Sequence, residues 1–185
     1  MPDIDKLSAQ VESLTAQLED LVSREQIRNC IYRINRGMDR IDREVMASGF
    51  HPDAVVRWGT PDAVDLNSFL DTAMIMQSKT QRVQHLVGQI LIDLHGDEAE
   101  VEAYEIGRHL TPMGEEMKDL IIASRYIDRF ARRDGKWGIV HRSKVADWIR
   151  VMEGSDPLYD MVPSRGLRDD QDLSVQMFRT GAFRD

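Results

Sequence analysis

A chain of 185 residues, 42% hydrophobic and 30% charged, suits one globular domain with a sizeable core plus terminal extensions, and no second domain is expected. A formal net charge of −8 with no Lys/Arg cluster argues against nucleic acid as a partner, because phosphates require a basic surface. No charged-then-apolar leader follows Met1, and no apolar run nears the roughly 20 residues that cross a bilayer, so a soluble, cytoplasmic protein with no membrane partner is expected.

The first predicted element is a helix in which Ile4, Leu7, Val11, Leu14, Leu18 and Leu21 recur at spacings of three and four, the a/d seam of a heptad repeat. Its other positions, among them Asp5, Lys6, Ser8, Gln10, Glu12, Gln17 and Glu19, are almost all polar, which leaves a stripe too narrow for a helix lying on its own domain. Residues 1–22 therefore read as an oligomerisation helix, a short coiled coil between protomers. The register breaks at Glu25 and Arg28, and Ser23-Arg24-Glu25-Gln26 has capping-box spacing, so a second helix either starts at Ser23 or runs straight on from the first. Its apolar face is Ile27, Cys30, Ile31 and Ile34, continued by Met38, Ile41 and Val45 to Gly49. Cys30, the single cysteine, reads as a small core residue. Asp39 sits among the apolar residues near the helix end, although period alone does not separate it from Asp42.

His51-Pro52-Asp53-Ala54 predicts a turn before the short strand Val55-Val56-Arg57-Trp58. After a loop with Pro61, Asp65-Leu66-Asn67-Ser68 opens another helix with Phe69, Leu70, Ala73, Met74 and Met76 as its apolar set. Four long strands follow, over residues 84–94, 99–111, 120–130 and 137–151, separated by turns at Gly96, Gly114 and Gly135. Helices followed by an antiparallel meander make an α+β layout. Leu86, Ile90 and Ile92 alternate with Val87 and Leu91, as in a sheet covered on one face and curled round a pocket on the other. The domain spans residues 23–151. Residues 152–185, rich in Gly, Pro, Asp and Arg, lack periodicity and read as an extended tail that wraps the domain or a neighbouring protomer.

Several motifs carry a resemblance: Ser23-Arg24-Glu25-Gln26-Ile27-Arg28, Gly37-Met38-Asp39-Arg40, Phe50-His51-Pro52-Asp53-Ala54, His85-Leu86-Val87-Gly88, Arg125-Tyr126-Ile127-Asp128-Arg129-Phe130, Arg133-Asp134-Gly135-Lys136-Trp137 and His141-Arg142. In order and spacing the chain, from about Leu21 to Tyr159, resembles the SnoaL-like family of the nuclear-transport-factor-2-like superfamily. The resemblance implies a cone-shaped α+β barrel, a strongly curved antiparallel sheet and helices around an apolar pocket. It points to the branch of scytalone dehydratase, hexachlorocyclohexane dehydrochlorinase and bile-acid 7α-dehydratase, which are cofactor-free lyases and commonly trimers. By the same resemblance Asp39 and His85 match a catalytic carboxylate–histidine dyad, Arg142 an arginine near the leaving group, His109 a second pocket histidine and Ser124 a pocket serine. Ile34 stands where those enzymes carry a Tyr or Lys facing the substrate, which removes a polar handle. Trp58 and Tyr104 complete the expected substrate-binding set.

The chemistry follows independently. Eliminating water or halide beside an acidic C–H requires a base titrating near neutrality, assistance to the leaving atom and a dry pocket. Histidine is the natural base, and a carboxylate such as Asp39 fixes its tautomer. His109 or Tyr104 would donate to the leaving oxygen; an odd separation puts them on opposite faces of a regular strand, which favours His109. Arg142 either stabilises developing negative charge or pairs with Asp128 or Asp147. The five histidines show no close metal-ligand spacing, and phosphate-loop and Gly-x-Ser-x-Gly motifs are absent, so neither metal nor cofactor is expected. Two classes remain: a cofactor-independent lyase, or a related isomerase or cyclase, acting on a hydrophobic cyclic substrate; and a non-catalytic ligand-binding or scaffold protein similar to a ring-hydroxylating dioxygenase small subunit. A homo-oligomer, with a trimer favoured, is expected in either case.

Overall fold

In the computed structural model residues 4–177 are described; residues 1–3 and 178–185, part of the expected terminal segments, lie outside that range. The first 37 residues described form one helix, α1 (Ile4–Arg40), with no new start at Ser23, which is buried inside it. No Gly or Pro interrupts residues 4–36, so nothing stops propagation while the apolar stripe shifts round the helix. The seam ahead of Ser23 is exposed, from 53% at Leu7 to 77% at Ile4, whereas Ile27, Cys30, Ile31, Ile34 and Met38 are buried.

The helix ends earlier than the expected run to Gly49. Ile41 adopts φ 54°, and Asp42 N–H donates to Gly37 O at 2.8 Å, the bond that closes a left-handed C-terminal cap. Asp42 then caps a short helix, α2 (Arg43–Ala47), by accepting from Val45 N–H. Strand β1 (Phe50–Trp58) begins at the segment expected to be a turn, and Pro52 is accommodated where the register shifts between Phe50 and Val55. A short strand β2 (Val64–Asp65) leads to helix α3 (Leu66–Lys79), capped by Asp65 as its sequence predicts.

The meander follows as β3 (Arg82–His95), β4 (Glu98–Met113), β5 (Glu116–Arg133) and β6 (Lys136–Glu153). The β5–β6 connection is Asp134-Gly135, both at positive φ, the two-residue turn whose twist matches the strands. Strand order is β2-β1-β6-β5-β4-β3, antiparallel except that β1 runs parallel to β6, so the sheet is mixed rather than wholly antiparallel. Irregularities after Val87, Ala123 and Arg129 bend it into a cone over α1 and α3. The one in β3 also reassigns its faces. Val87, Ile90 and Ile92 pack on the core, while Leu86 and Leu91 are 66% and 58% exposed, because the irregular stretch around Gly88 changes the alternation. The core joins Ile27, Ile31, Ile34 and Met38 of α1 to Val56, Leu70, Phe130 and Ile139. The tail folds back on its own domain through a 3-10 turn at Tyr159–Met161 and a short helix α4 (Leu173–Met177).

Candidate functional site

Asp39 lies in the last turn of α1 and His85 on β3, and the fold brings them into contact. Asp39 Oδ1 is 2.7 Å from His85 Nδ1, and Oδ2 accepts the His85 backbone N–H at 3.3 Å. Both oxygens are thus spent on one residue. Nδ1 faces the Asp39 carboxylate, and Nε2 points to the opposite side of the ring. The His85 side chain is 1% exposed and that of Asp39 17%.

Nε2 faces a second carboxylate. Glu105 Oε1 is 3.7 Å away, while Glu105 Oε2 accepts from the Ser124 hydroxyl and lies 3.2 Å from Lys144 Nζ. Oε1 itself has no hydrogen-bond partner among the described residues. Burial lowers the Lys144 ammonium below its ordinary value, against the pull of Glu105, and Nζ stands 4.5 Å above the Trp58 ring. His109 meets His85 edge to face at 5.1 Å between ring centroids, and its Nε2 is buried with no hydrogen-bond partner among the described residues. Burial first, then the neighbouring His85 and Lys144, push His109 down to about 3, so it is a neutral ring at physiological pH. Gly107 sits between the three: a Cβ there would come within 2.7 Å of Glu105 Oε1, 2.8 Å of His109 Nε2 and 3.1 Å of His85 Cδ2.

Other expected residues are placed differently. Tyr104 points to the outer face of β4 and is 41% exposed, away from His85, as the parity of the strand dictates. Arg142 is fully buried and bound through Nε and one Nη to both oxygens of Asp128 at 2.8 and 2.7 Å, under the rings of Tyr126 and Phe50. Burial opposes its charge, but Asp128 more than offsets this and holds it protonated. It is a structural ion pair, and two of its donors are unavailable to a leaving group. Ile34 is wholly buried against Gly49 in the core rather than facing an opening. Ser124 serves Glu105, and Trp58 stacks on Tyr126 at 5.8 Å.

Polar side chains fill the interior beside His85. Tyr126 OH donates to Asn35 Oδ1 at 3.0 Å, and Asn35 Nδ2 to Ile31 O, next to the Arg142–Asp128 pair. A cavity of about 310 Å³ opens beside Asp39, with Arg82, Gln84, Arg108, Tyr159 and Arg168 in its walls. Those walls are more charged than the expected apolar pocket. Among the described residues no group of three or more His, Cys, Asp or Glu side chains is arranged to hold a metal ion. Glu105, Gly107, Lys144 and Arg168 were not singled out from sequence. For Glu105 the signal existed: it shares the alternation of Gly107 and His109, opposite to Tyr104.

A profile described as a SnoaL-like domain matches residues 19–143. No curated protein sequence matches the chain. Among solved structures, a protein assigned as a scytalone dehydratase from Novosphingobium aromaticivorans superposes with TM-score 0.64 at 19% identity, covering 75% of this chain and 95% of that one. A hexachlorocyclohexane dehydrochlorinase from Novosphingobium barchaimii gives 0.68 at 16% identity, over 75% and 96%. A protein of unknown function with a cystatin-like fold from Nostoc punctiforme gives 0.57 at 18% identity, over 68% and 92%. At these identities the likeness establishes the shared fold.

Proposed function

The chain belongs to the SnoaL-like family, and from that premise we propose that it is a cofactor-independent lyase, of dehydratase or dehydrohalogenase type, acting on a hydrophobic cyclic substrate. The observation that carries this reading is the Asp39–His85 pair, with Nδ1 2.7 Å from the carboxylate, and to Nε2 we assign the role of base. Nε2 takes a proton from the carbon beside an activating group. The C–H electrons form the new double bond, and the leaving group departs with the electrons of its own bond to carbon. The carboxylate of Asp39 stabilises the imidazolium that results.

His109, being neutral, offers the leaving atom a hydrogen bond and not the proton of an imidazolium. Lys144 replaces Arg142 as the cation that faces this chemistry, because Arg142 is committed to Asp128. His109, whose Nε2 holds no hydrogen bond among the described residues, gives up no such bond there if it moves when substrate approaches the buried Nε2 of His85. The non-catalytic alternative, a ligand-binding or scaffold role, draws support from the polar side chains that fill the space around His85 and from Ile34 lying in the core.

The exposed seam on α1 supports self-association, and we assign it to a homo-oligomer, with a trimer favoured. Among the described residues no helix is long and apolar enough to cross a membrane; a cytoplasmic location is proposed on the single cysteine, which is buried and free.

The test is turnover of hydroxylated and halogenated cyclic ketones by the unaltered protein, His85→Ala and Asp39→Asn. Conversion that falls by about 10²-fold or more in both variants, with binding retained, is the expected result. Equal binding by all three with no conversion would favour the non-catalytic role.

A further inference from the structure

We infer that Arg168, in the tail beyond the SnoaL-like domain, is a positioning residue for Asp39; the tail around it forms one wall of the cavity that opens beside that carboxylate. The activity part of this inference rests on the lyase reading; the positioning part does not.

The argument starts from two helix ends. The last carbonyls of any α-helix have no partner within the helix, and they carry its negative dipole end. The C-terminal ends of α1 and α3 converge, and one guanidinium fills the gap between them. Arg168 Nε donates to Asp39 O at 3.0 Å and Nη2 to Met38 O at 3.0 Å, while Nη1 donates to Gln77 O at 2.8 Å and to Thr80 O. Its fifth bond, from Nη2 to Gln77 Oε1 at 2.8 Å, satisfies a side chain that is itself buried. Among the described residues no carboxylate lies within ion-pair distance of Arg168, so the helix ends and the nearby Asp39 balance its charge.

The helix end needs this support. Ile41, a β-branched residue, occupies the left-handed region at φ 54°, and its N–H reaches Met38 O only at 3.5 Å. The two carbonyls that Arg168 holds on α1 belong to Asp39 and the residue before it. Losing the guanidinium therefore loosens the turn that sets the Asp39 carboxylate against His85.

The tail is folded to present this side chain. Asp172 accepts the Leu167 and Ser174 backbone N–H groups at 2.9 and 3.0 Å and stands 3.6 Å from Arg40. Asp156 pairs with Arg82 at 3.3 Å, the Tyr159 ring lies 3.6 Å from the same guanidinium, and Tyr159 OH donates to Gly166 O at 2.9 Å. Tyr159, Gly166 and Arg168 share with Asp39 and Arg82 the lining of the 310 Å³ cavity. A molecule approaching Asp39 from that side meets the tail first.

The experiment follows the His85 Nδ1 proton by NMR, assigned by its loss in His85→Ala, in the full-length protein. Arg168→Ala is compared with Arg168→Lys and with Arg165→Ala, a tail arginine paired with Asp160 at the surface. In Arg168→Ala, solvent exchange of that proton should quicken on the order of tenfold and its resonance should broaden. Arg165→Ala should leave it unchanged, and added methylguanidinium should restore it in Arg168→Ala but do nothing for the unaltered protein. Turnover should fall in parallel, in kcat more than in KM. An Nδ1 proton unaffected in folded Arg168→Ala overturns the inference, as does a loss that tracks global unfolding without guanidinium rescue. If the resonance responds but no compound is ever converted, the positioning role stands and the lyase reading alone fails.

Discussion

His109 shows how burial decides what a histidine does. Its ring is pushed to about 3, whereas the unfolded chain titrates it near 6.5. Between those values the unfolded state binds a proton that the folded state refuses, so this contribution to stability is fully present above about pH 6.5 and is lost as pH falls toward 3. His109→Leu should flatten the acid side of the stability profile by up to about 1 kcal/mol per pH unit, read from denaturant unfolding between about pH 6.5 and 4.5. A slope identical to that of the unaltered protein would show that His109 protonates freely in the fold. Arg142 teaches the complementary lesson. Its expected place near the leaving group came from a motif, but with Asp128 buried opposite it, the alternative ion pair that the sequence also allowed is the one formed. Glu105 was legible through strand parity: Glu98, Glu100 and Glu102 share the face of Tyr104, and Glu105 breaks that alternation onto the face of Gly107 and His109.

At the scale of elements, the four long strands of the meander and α3 were legible in the chain because alternation, turn glycines and the Asp65 cap are local signals. The end of α1 was not, since nothing local marks an isoleucine as a left-handed cap; the contacts of Met38, Met46 and the tail impose it. Replacing Ile41 with Gly should relieve part of that cost and raise stability by roughly 0.5–1 kcal/mol in thermal or denaturant unfolding, while Ile41→Val should not. A neutral or destabilising Ile41→Gly would mean that the side chain's packing outweighs the backbone strain. The same comparison bears on the site, because Asp39 is two residues upstream.

For the whole molecule, the long helix and the cone are separate problems. Leu14 and Leu18 are 63% and 60% exposed, a loss of apolar burial that association of copies would recover. Light scattering should give about three times 21.2 kDa, and Leu14→Glu with Leu18→Glu should lower that mass without unfolding the domain. A monomeric unaltered protein would remove the oligomer from the reading. Strand alternation and turn glycines were enough for the α+β class, and the order of motifs carried the resemblance to the family, because those signals are written in neighbouring residues. Tertiary structure alone decided that β1 runs parallel to β6, that the tail reaches the end of α1, and that Glu105 and Lys144 stand beside His85. Each of these joins segments far apart in the chain, and only their packing together sets the distances, the burial and the protonation of the groups that meet.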